Sequence, residues 1–282
     1  MKILNNVQMS NYTTIKIGGI VRNMYIPENT DELKKIIEEI GTDNLFGGGS
    51  NLLVSDEHIF DNVINLREFN NNILDQGNGK FKVGASVRLQ KLINVVNASG
   101  YGGIEYLYSV PGLVGGAVIM NAGGGIKEGN SISDYIYSVT VLYKNELINL
   151  TKDECLFSHR SSLFKENKEY VVVSVDFKFI EQDLGKSKEK IHDRLELTKR
   201  IHDLAHPNFG SVFCVYNPKI VNIIKKIQRK HDSGVWFSDK TDNWLVNCGG
   251  GTYKEAIMRI NHIKKIHRMF HCECETEVII WD

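Results

Sequence analysis

Proline is scarce, 4 residues among 282, which excludes collagen-like and proline-rich linker architectures that depend on its pre-set extended backbone. Net charge is absent, 34 Lys and Arg balancing 34 Asp and Glu, so no nucleic-acid footprint is indicated. Lys225 and Lys226 with Arg229, Lys230 and His231 read as the solvated face of one helix. A long apolar run is also missing. The most apolar stretch, Val110–Ala122, is interrupted by glycines far short of the ~18 residues of a membrane span, and Met1–Ser10 has no apolar core of an export signal. The 5 cysteines, at 155, 214, 248, 272 and 274, are odd in number in a long chain. A disulfide scaffold is excluded, and a reducing cytoplasm is the expected compartment.

What remains is a globular composition, 42% hydrophobic and 24% charged. At roughly 100–200 residues per domain the length suggests two domains with a small third. Asn29 followed by Glu32 predicts a helix start, and Leu33, Ile36, Ile37 and Ile40 continue it over about 30–40. Short strands are expected at 45–46, 52–54 and 63–66. An asparagine-rich stretch from Arg67 to Lys80 reads as a surface loop, followed by a strand at 81–85 and a helix at 87–98 with Ser86 as its cap. Strands are expected at 137–143 and at 171–179, where Val171, Val173, Val175, Phe177 and Phe179 alternate with Val172, Ser174, Asp176 and Lys178. Residues 181–190 read as a linker into a helix ending near 201. Asn217-Pro218 opens a helix with Ile220, Ile223, Ile224 and Ile227 on one face, and Thr252 with Glu255 forms a capping box for a helix to about 269. A strand is expected over 275–281. The fold class is α+β, with segments 1–66, 67–185 and 186–282 as the expected domains.

Glycine is the abundant residue, 25 copies, concentrated at 47–49, 112–125 and 249–251. Glycine lets peptide N–H groups approach an anionic ligand with no Cβ in the way, and a dinucleotide is the natural guest. Neither a Rossmann nor a P-loop pattern is present.

Six motifs in order carry a resemblance. They are Ile17-Gly18-Gly19, Gly47-Gly48-Gly49-Ser50-Asn51-Leu52-Leu53, Val110-Pro111-Gly112 through Ala117 with Met120-Asn121-Ala122-Gly123, His159-Arg160 with Ser162 and Phe164, Gly210-Ser211-Val212-Phe213, and Glu275-Thr276-Glu277-Val278. Together they resemble the UDP-N-acetylenolpyruvoylglucosamine reductase (MurB) family over almost the whole chain, in its short form without the loop that brings a tyrosine over the substrate. The resemblance implies a vanillyl-alcohol-oxidase-like (PCMH-type) two-subdomain fold holding FAD, plus a C-terminal substrate domain. It implies FAD bound by Gly47, Gly48, Gly49, Ser50 and Asn51 at the diphosphate and by Pro111, Gly112, Gly115, Gly116, Ala117, Asn121 and Gly123 elsewhere. NADPH is the implied reductant and a nucleotide-linked sugar the implied substrate, handled by a cytoplasmic monomer. Hydride passes through the flavin to an enolpyruvyl group. Arg160 matches the arginine that steadies the enol, Ser211 the proton donor and Glu277 the carboxylate that completes the trio.

The substrate side departs from the family pattern. His159 stands where tyrosine is usual and reads as a packing replacement. Gly124-Gly125-Ile126 replaces Ala-Tyr-Gly. Cys214-Val215-Tyr216 intervenes before Asn217-Pro218 and removes a lysine, while Trp236 and Thr241 replace glutamine and histidine. Such changes shift discrimination at a polar site by orders of magnitude, so a paralogue acting on another nucleotide-linked sugar or unsaturated acid is the competing expectation. A zinc protein built on His267, His271, Cys272 and Cys274 is a weaker one, because their spacing is not that of a zinc knuckle, and no metal site is expected. A flavin-holding module without turnover is a third class.

Overall fold

Asn29 opens the first helix as expected: its side chain accepts from the Glu32 backbone N–H, removing one of the donors a helix start leaves unpaired. In the computed structural model, which describes residues 1–124, 129–228 and 233–282, the described residues form seven α-helices in chain order. They are α1 (Thr30–Ile40), α2 (Leu89–Ala98), α3 (Val114–Ile119), α4 (Leu163–Glu166), α5 (Leu184–Ile201), α6 (Pro218–Ile227) and α7 (Tyr253–Met269). Gly125, Ile126, Arg229, Lys230 and His231 lie outside the described residues.

The chain forms two units that interleave in sequence. The first comprises Met1–Ile3, Met24–Gly48 and Asn62–Thr198; the second comprises Leu4–Asn23, Gly49–Asp61 and Lys199–Asp282. Residues 67–185 therefore fall wholly in the first, residues 199–282 in the second, and residues 1–66 are shared by both.

The first unit is built on a five-stranded antiparallel sheet in the order Glu146–Thr151, Ile136–Tyr143, Val171–Lys178, Lys80–Gly84, Ile73–Asp75. Strand Ile73–Asp75 lies in the stretch expected to be loop; it is an edge strand with two exposed residues, which blurs its sequence signal. The strict alternation expected along 171–179 fails for a definable reason. The pairing with Ile136–Tyr143 shifts between Val172 and Ser174, a bulge that resets which face each side chain meets. Val171 and Val173 join a core with Leu33, Ile36 and Ile64, while Val172, Val175 and Phe177 join the main core with Leu89, Leu92, Ile93 and Val96 of α2. The central strand is thus buried on both faces.

Two boundaries differ from expectation. Ser86 does not cap α2; its hydroxyl donates to the Leu66 carbonyl, and Arg88 occupies the cap position. Residues 184–190 are helix, not linker, because Asp183 accepts from the Lys186 N–H at 3.1 Å and starts α5 early.

The second unit has a three-stranded antiparallel sheet, Asn208–Ser211, Trp244–Asn247 and Val235–Phe237. Its core includes Ile220, Val221 and Ile224 of α6 and Ala256, Ile260 and Ile263 of α7. Ile223 and Ile227 do not share that buried face; they are 60% and 69% exposed. Thr252 and Glu255 make the expected reciprocal capping box. The expected strand over 275–281 is two short strands, Glu275–Thr276 beside Phe213–Val215 and Ile279–Trp281 parallel to Leu52–Val54. No described helix is long and apolar enough to cross a membrane.

Candidate functional site

The glycine turn after strand Leu45–Phe46 is held from behind at Gly47 and Gly48. Arg67 donates from Nε to the Gly47 carbonyl at 3.3 Å and from Nη2 to the Gly48 carbonyl at 2.8 Å, with its guanidinium 5.8 Å from the Phe46 ring centre. A trans peptide is planar with its C=O and N–H opposed, and none of the described peptides is cis. The N–H groups of Gly48 and Gly49 therefore point away from Arg67. Neither meets an acceptor among the described residues, although Gly49 is buried. A buried N–H is nearly always paired, so this turn suits an anionic acceptor.

A Cβ added to Gly47 would stand 3.4 Å from Leu113 Cδ1, at the cap of α3. Leu89 N–H donates to the Gly112 carbonyl at 3.1 Å, beside exposed Pro111, while Val114 and Gly115 N–H groups donate to Val87 and Ala85 carbonyls at 2.9 and 2.8 Å. Gly115 is a close-approach glycine, since a Cβ there would lie 3.0 Å from Ala85 Cβ. Gly116 faces the other way, exposed, with nothing within 4 Å of an added Cβ. Ala117 is buried and its carbonyl accepts from Ala122 N–H at 2.8 Å, closing the turn that follows α3.

That turn places Asn121 in the left-handed region, φ +42°, which asparagine tolerates. Its side-chain amide donates to the Ser158 carbonyl at 2.8 Å and its carbonyl oxygen accepts from Ser133 N–H at 3.4 Å. Ser158 and Ser161 exchange backbone hydrogen bonds at 3.0 and 3.3 Å, and half-buried Arg160 sits between them at φ +53°. Arg160 Nη2 donates to the Gly123 carbonyl at 3.3 Å. Asn121, Gly123 and Arg160 are thus brought together. His159, expected to pack in place of tyrosine, is exposed at the tip of that turn.

The second unit joins the other candidates. Glu277 N–H donates to the carbonyl of Val212, the residue after Ser211, at 2.8 Å. Val212 N–H donates to the Asn243 carbonyl at 2.8 Å, and the Asn243 side chain bridges Phe213 N–H and C=O at 3.1 and 2.7 Å. Ser211 and Glu277 are both half-buried. Burial pushes the Tyr216 phenol up, and the Asp242 and Glu277 carboxylates add to the shift. Thr14 holds the remaining turn carbonyls, its N–H donating to Gly49 at 3.1 Å and its hydroxyl to Ser50 at 3.3 Å. Arg67, Thr14 and Asn243 were not legible as site residues, because each acts on a segment distant in sequence.

Among the described residues no group of three His, Cys, Asp or Glu side chains could hold a metal ion. His267 is engaged otherwise, Nδ1 meeting the Ile263 carbonyl at 2.9 Å and Nε2 accepting from Asn217 N–H at 2.9 Å.

The family model of an FAD binding domain matches residues 21–149. UDP-N-acetylenolpyruvoylglucosamine reductase from Bacillus pumilus (strain SAFR-032) is 30% identical over 99% of this chain and 94% of its own. The protein of the same name from Halalkalibacterium halodurans is 32% identical over 97% and 92%. Among solved structures, that of the reductase MurB from Thermus caldophilus matches with a TM-score of 0.81 at 25% identity, covering 100% of both chains. These matches define an FAD-dependent oxidoreductase with an α+β, MurB-type fold that includes an FAD-binding domain. The chain belongs to the UDP-N-acetylenolpyruvoylglucosamine reductase family.

Proposed function

We propose that this chain reduces the enolpyruvyl group of UDP-N-acetylenolpyruvoylglucosamine to give UDP-N-acetylmuramate for peptidoglycan synthesis, with FAD as cofactor and NADPH as reductant. The observation that supports it best is the backbone bond from Glu277 to Val212, the residue after Ser211, in a chain related end to end to reductases of that name. FAD, when bound, supplies hydride transfer between the nicotinamide and the vinyl ether.

The chain's own residues supply the rest. The amides of Gly47, Gly48, Gly49, Ser50 and Asn51 take the FAD diphosphate, and Pro111, Gly112, Gly115, Gly116, Ala117, Asn121 and Gly123 form the second cofactor segment. The Arg160 guanidinium offsets the negative charge that grows on the enolate carboxylate. Ser211 Oγ delivers the proton to the neighbouring carbon, and the Glu277 carboxylate positions the reacting group. We assign cofactor binding to segments 1–66 and 67–185 and substrate binding to segment 186–282. The five cysteines are free thiols, in keeping with a cytoplasmic monomer working in a reducing compartment.

One observation favours a second reading, a paralogue with a different nucleotide-linked substrate. Trp236 is 7% exposed, donates to the Ser233 carbonyl at 2.8 Å and lies under the Arg259 guanidinium at 3.7 Å. Thr241 Oγ1 donates to the Ile201 carbonyl at 2.9 Å and accepts from Asp203 N–H at 3.0 Å. Where the family pattern has glutamine and histidine, these two residues serve internal structure in this chain. Anaerobic reoxidation separates the readings. NADPH-reduced protein should return to the oxidised spectrum on adding UDP-N-acetylenolpyruvoylglucosamine; failure with that compound rejects the first reading in favour of the second.

A further inference from the structure

Two consecutive carbonyls, those of Gly47 and Gly48, accept from one guanidinium. A side chain that grips two successive carbonyls fixes two successive peptide planes, and because each plane carries its N–H opposite its C=O, it fixes two N–H vectors at once. Gly49 has φ +65°, the left-handed residue that lets adjacent N–H groups converge into an anion-binding nest. Nothing in the local pattern around Arg67 announces this: it lies 20 and 19 residues from the carbonyls it holds.

We infer that Arg67 is the positioning residue of the diphosphate turn, its guanidinium orienting the Gly47–Gly49 peptides so that their N–H groups meet the diphosphate of FAD. The inference rests on the proposal above that this turn takes that diphosphate. Its contribution is of two kinds. Charge-assisted bonds to carbonyls are stronger than neutral ones, so the peptide planes are set before the cofactor arrives. The cation also adds favourable potential behind a dianionic group, where amide dipoles alone carry only partial charges. Lysine cannot reproduce the first effect, since an ammonium is a point charge without the planar fork that spans two carbonyls.

The test uses the full chain freed of flavin and titrated calorimetrically with ADP and with adenosine, which differ only by the diphosphate. Wild-type protein is expected to bind ADP at least about tenfold tighter than adenosine, as charge-assisted bonds require. Arg67→Met should lower that ratio to near one while leaving adenosine affinity within about twofold. Arg67→Lys, which keeps the charge and loses the fork, should fall between. Equal loss of both ligands, or an unchanged ratio in Arg67→Met, overturns the inference, because it leaves Arg67 a general structural role or none. If Arg67→Met does not fold by circular dichroism, the ratio in Arg67→Lys decides, an unchanged ratio overturning the inference. Wild-type protein with no preference for ADP rejects the turn as a diphosphate site at all, a failure distinct from that of Arg67.

Discussion

Asn51 and Glu277 stand 226 positions apart and are joined directly, the Asn51 side-chain amide donating to the Glu277 carbonyl at 3.0 Å. Ile279 N–H returns a bond to the Asn51 carbonyl at 3.1 Å. The end of the glycine turn and the proposed catalytic carboxylate thus share one frame. The bond is made to the Glu277 main chain, so the carboxylate can be changed without loosening its anchor.

Glu277→Gln should therefore leave the thermal midpoint unaltered while lowering turnover by roughly 100-fold, within the range for a positioned acid–base group. Asn51→Ala should do both kinds of harm, costing about 1 kcal/mol of stability and slowing turnover. Thermal melts beside stopped-flow reoxidation distinguish the two variants. A Glu277→Gln protein with wild-type turnover would remove Glu277 from the trio.

Gly115 and Gly116 are neighbours in α3 with opposite expected responses. Gly115→Ala drives a methyl against Ala85 and should destabilise the protein by about 1–3 kcal/mol. Gly116→Ala meets nothing in the protein and should stabilise the flavin-free chain by about 0.5–1 kcal/mol through helix propensity. The same methyl should weaken FAD retention, read as loss of bound flavin on gel filtration. Undiminished flavin in Gly116→Ala would take Gly116 out of the cofactor segment.

Asn121 supports the turn that presents Arg160. Asn121→Ala loses two side-chain hydrogen bonds and places a Cβ-bearing residue without a local partner at positive φ, a combined cost of about 2–4 kcal/mol. Asn121→Gly should restore the backbone share alone. Urea denaturation of the three proteins gives the split, and equal midpoints for alanine and glycine would mean the backbone conformation contributes nothing.

Asp203 gives the protein an acid limb. Burial alone would raise its pKa, but the Ser238 hydroxyl, His206 and the Ala205 N–H together hold it below the ordinary 3.8. A depressed folded pKa means that the unfolded chain takes up the proton first. The stabilisation is complete above the unfolded value and is lost as pH falls through the folded one. Denaturation free energy should decline below about pH 4, and Asp203→Asn should flatten that decline. An unchanged acid limb in the variant would show that other carboxylates set it.

Local features were legible in the sequence and relational ones were not. The Asn29–Glu32 and Thr252–Glu255 starts depend on atoms three residues apart, so residue type and spacing suffice. The alternation of 171–179 misled because a bulge, set by partner strands, interrupts it. The isoleucines of α6 suggested a wider buried face because their pattern cannot tell which edge α7 covers. Ser211 and Glu277 are proposed from family motifs, whereas Arg67 and Thr14 act on a turn they meet only after folding.

Ile279–Trp281 lies in parallel register on Leu52–Val54, in a unit assembled from residues 4–23, 49–61 and 199–282. During synthesis on the ribosome the early strands of that unit must wait for partners made more than two hundred residues later. The first unit, contained in residues 1–198, meets no such delay. The second is therefore the slower to mature, as long-range pairings are, and the more exposed to chaperones and proteases while the nascent chain is unfinished.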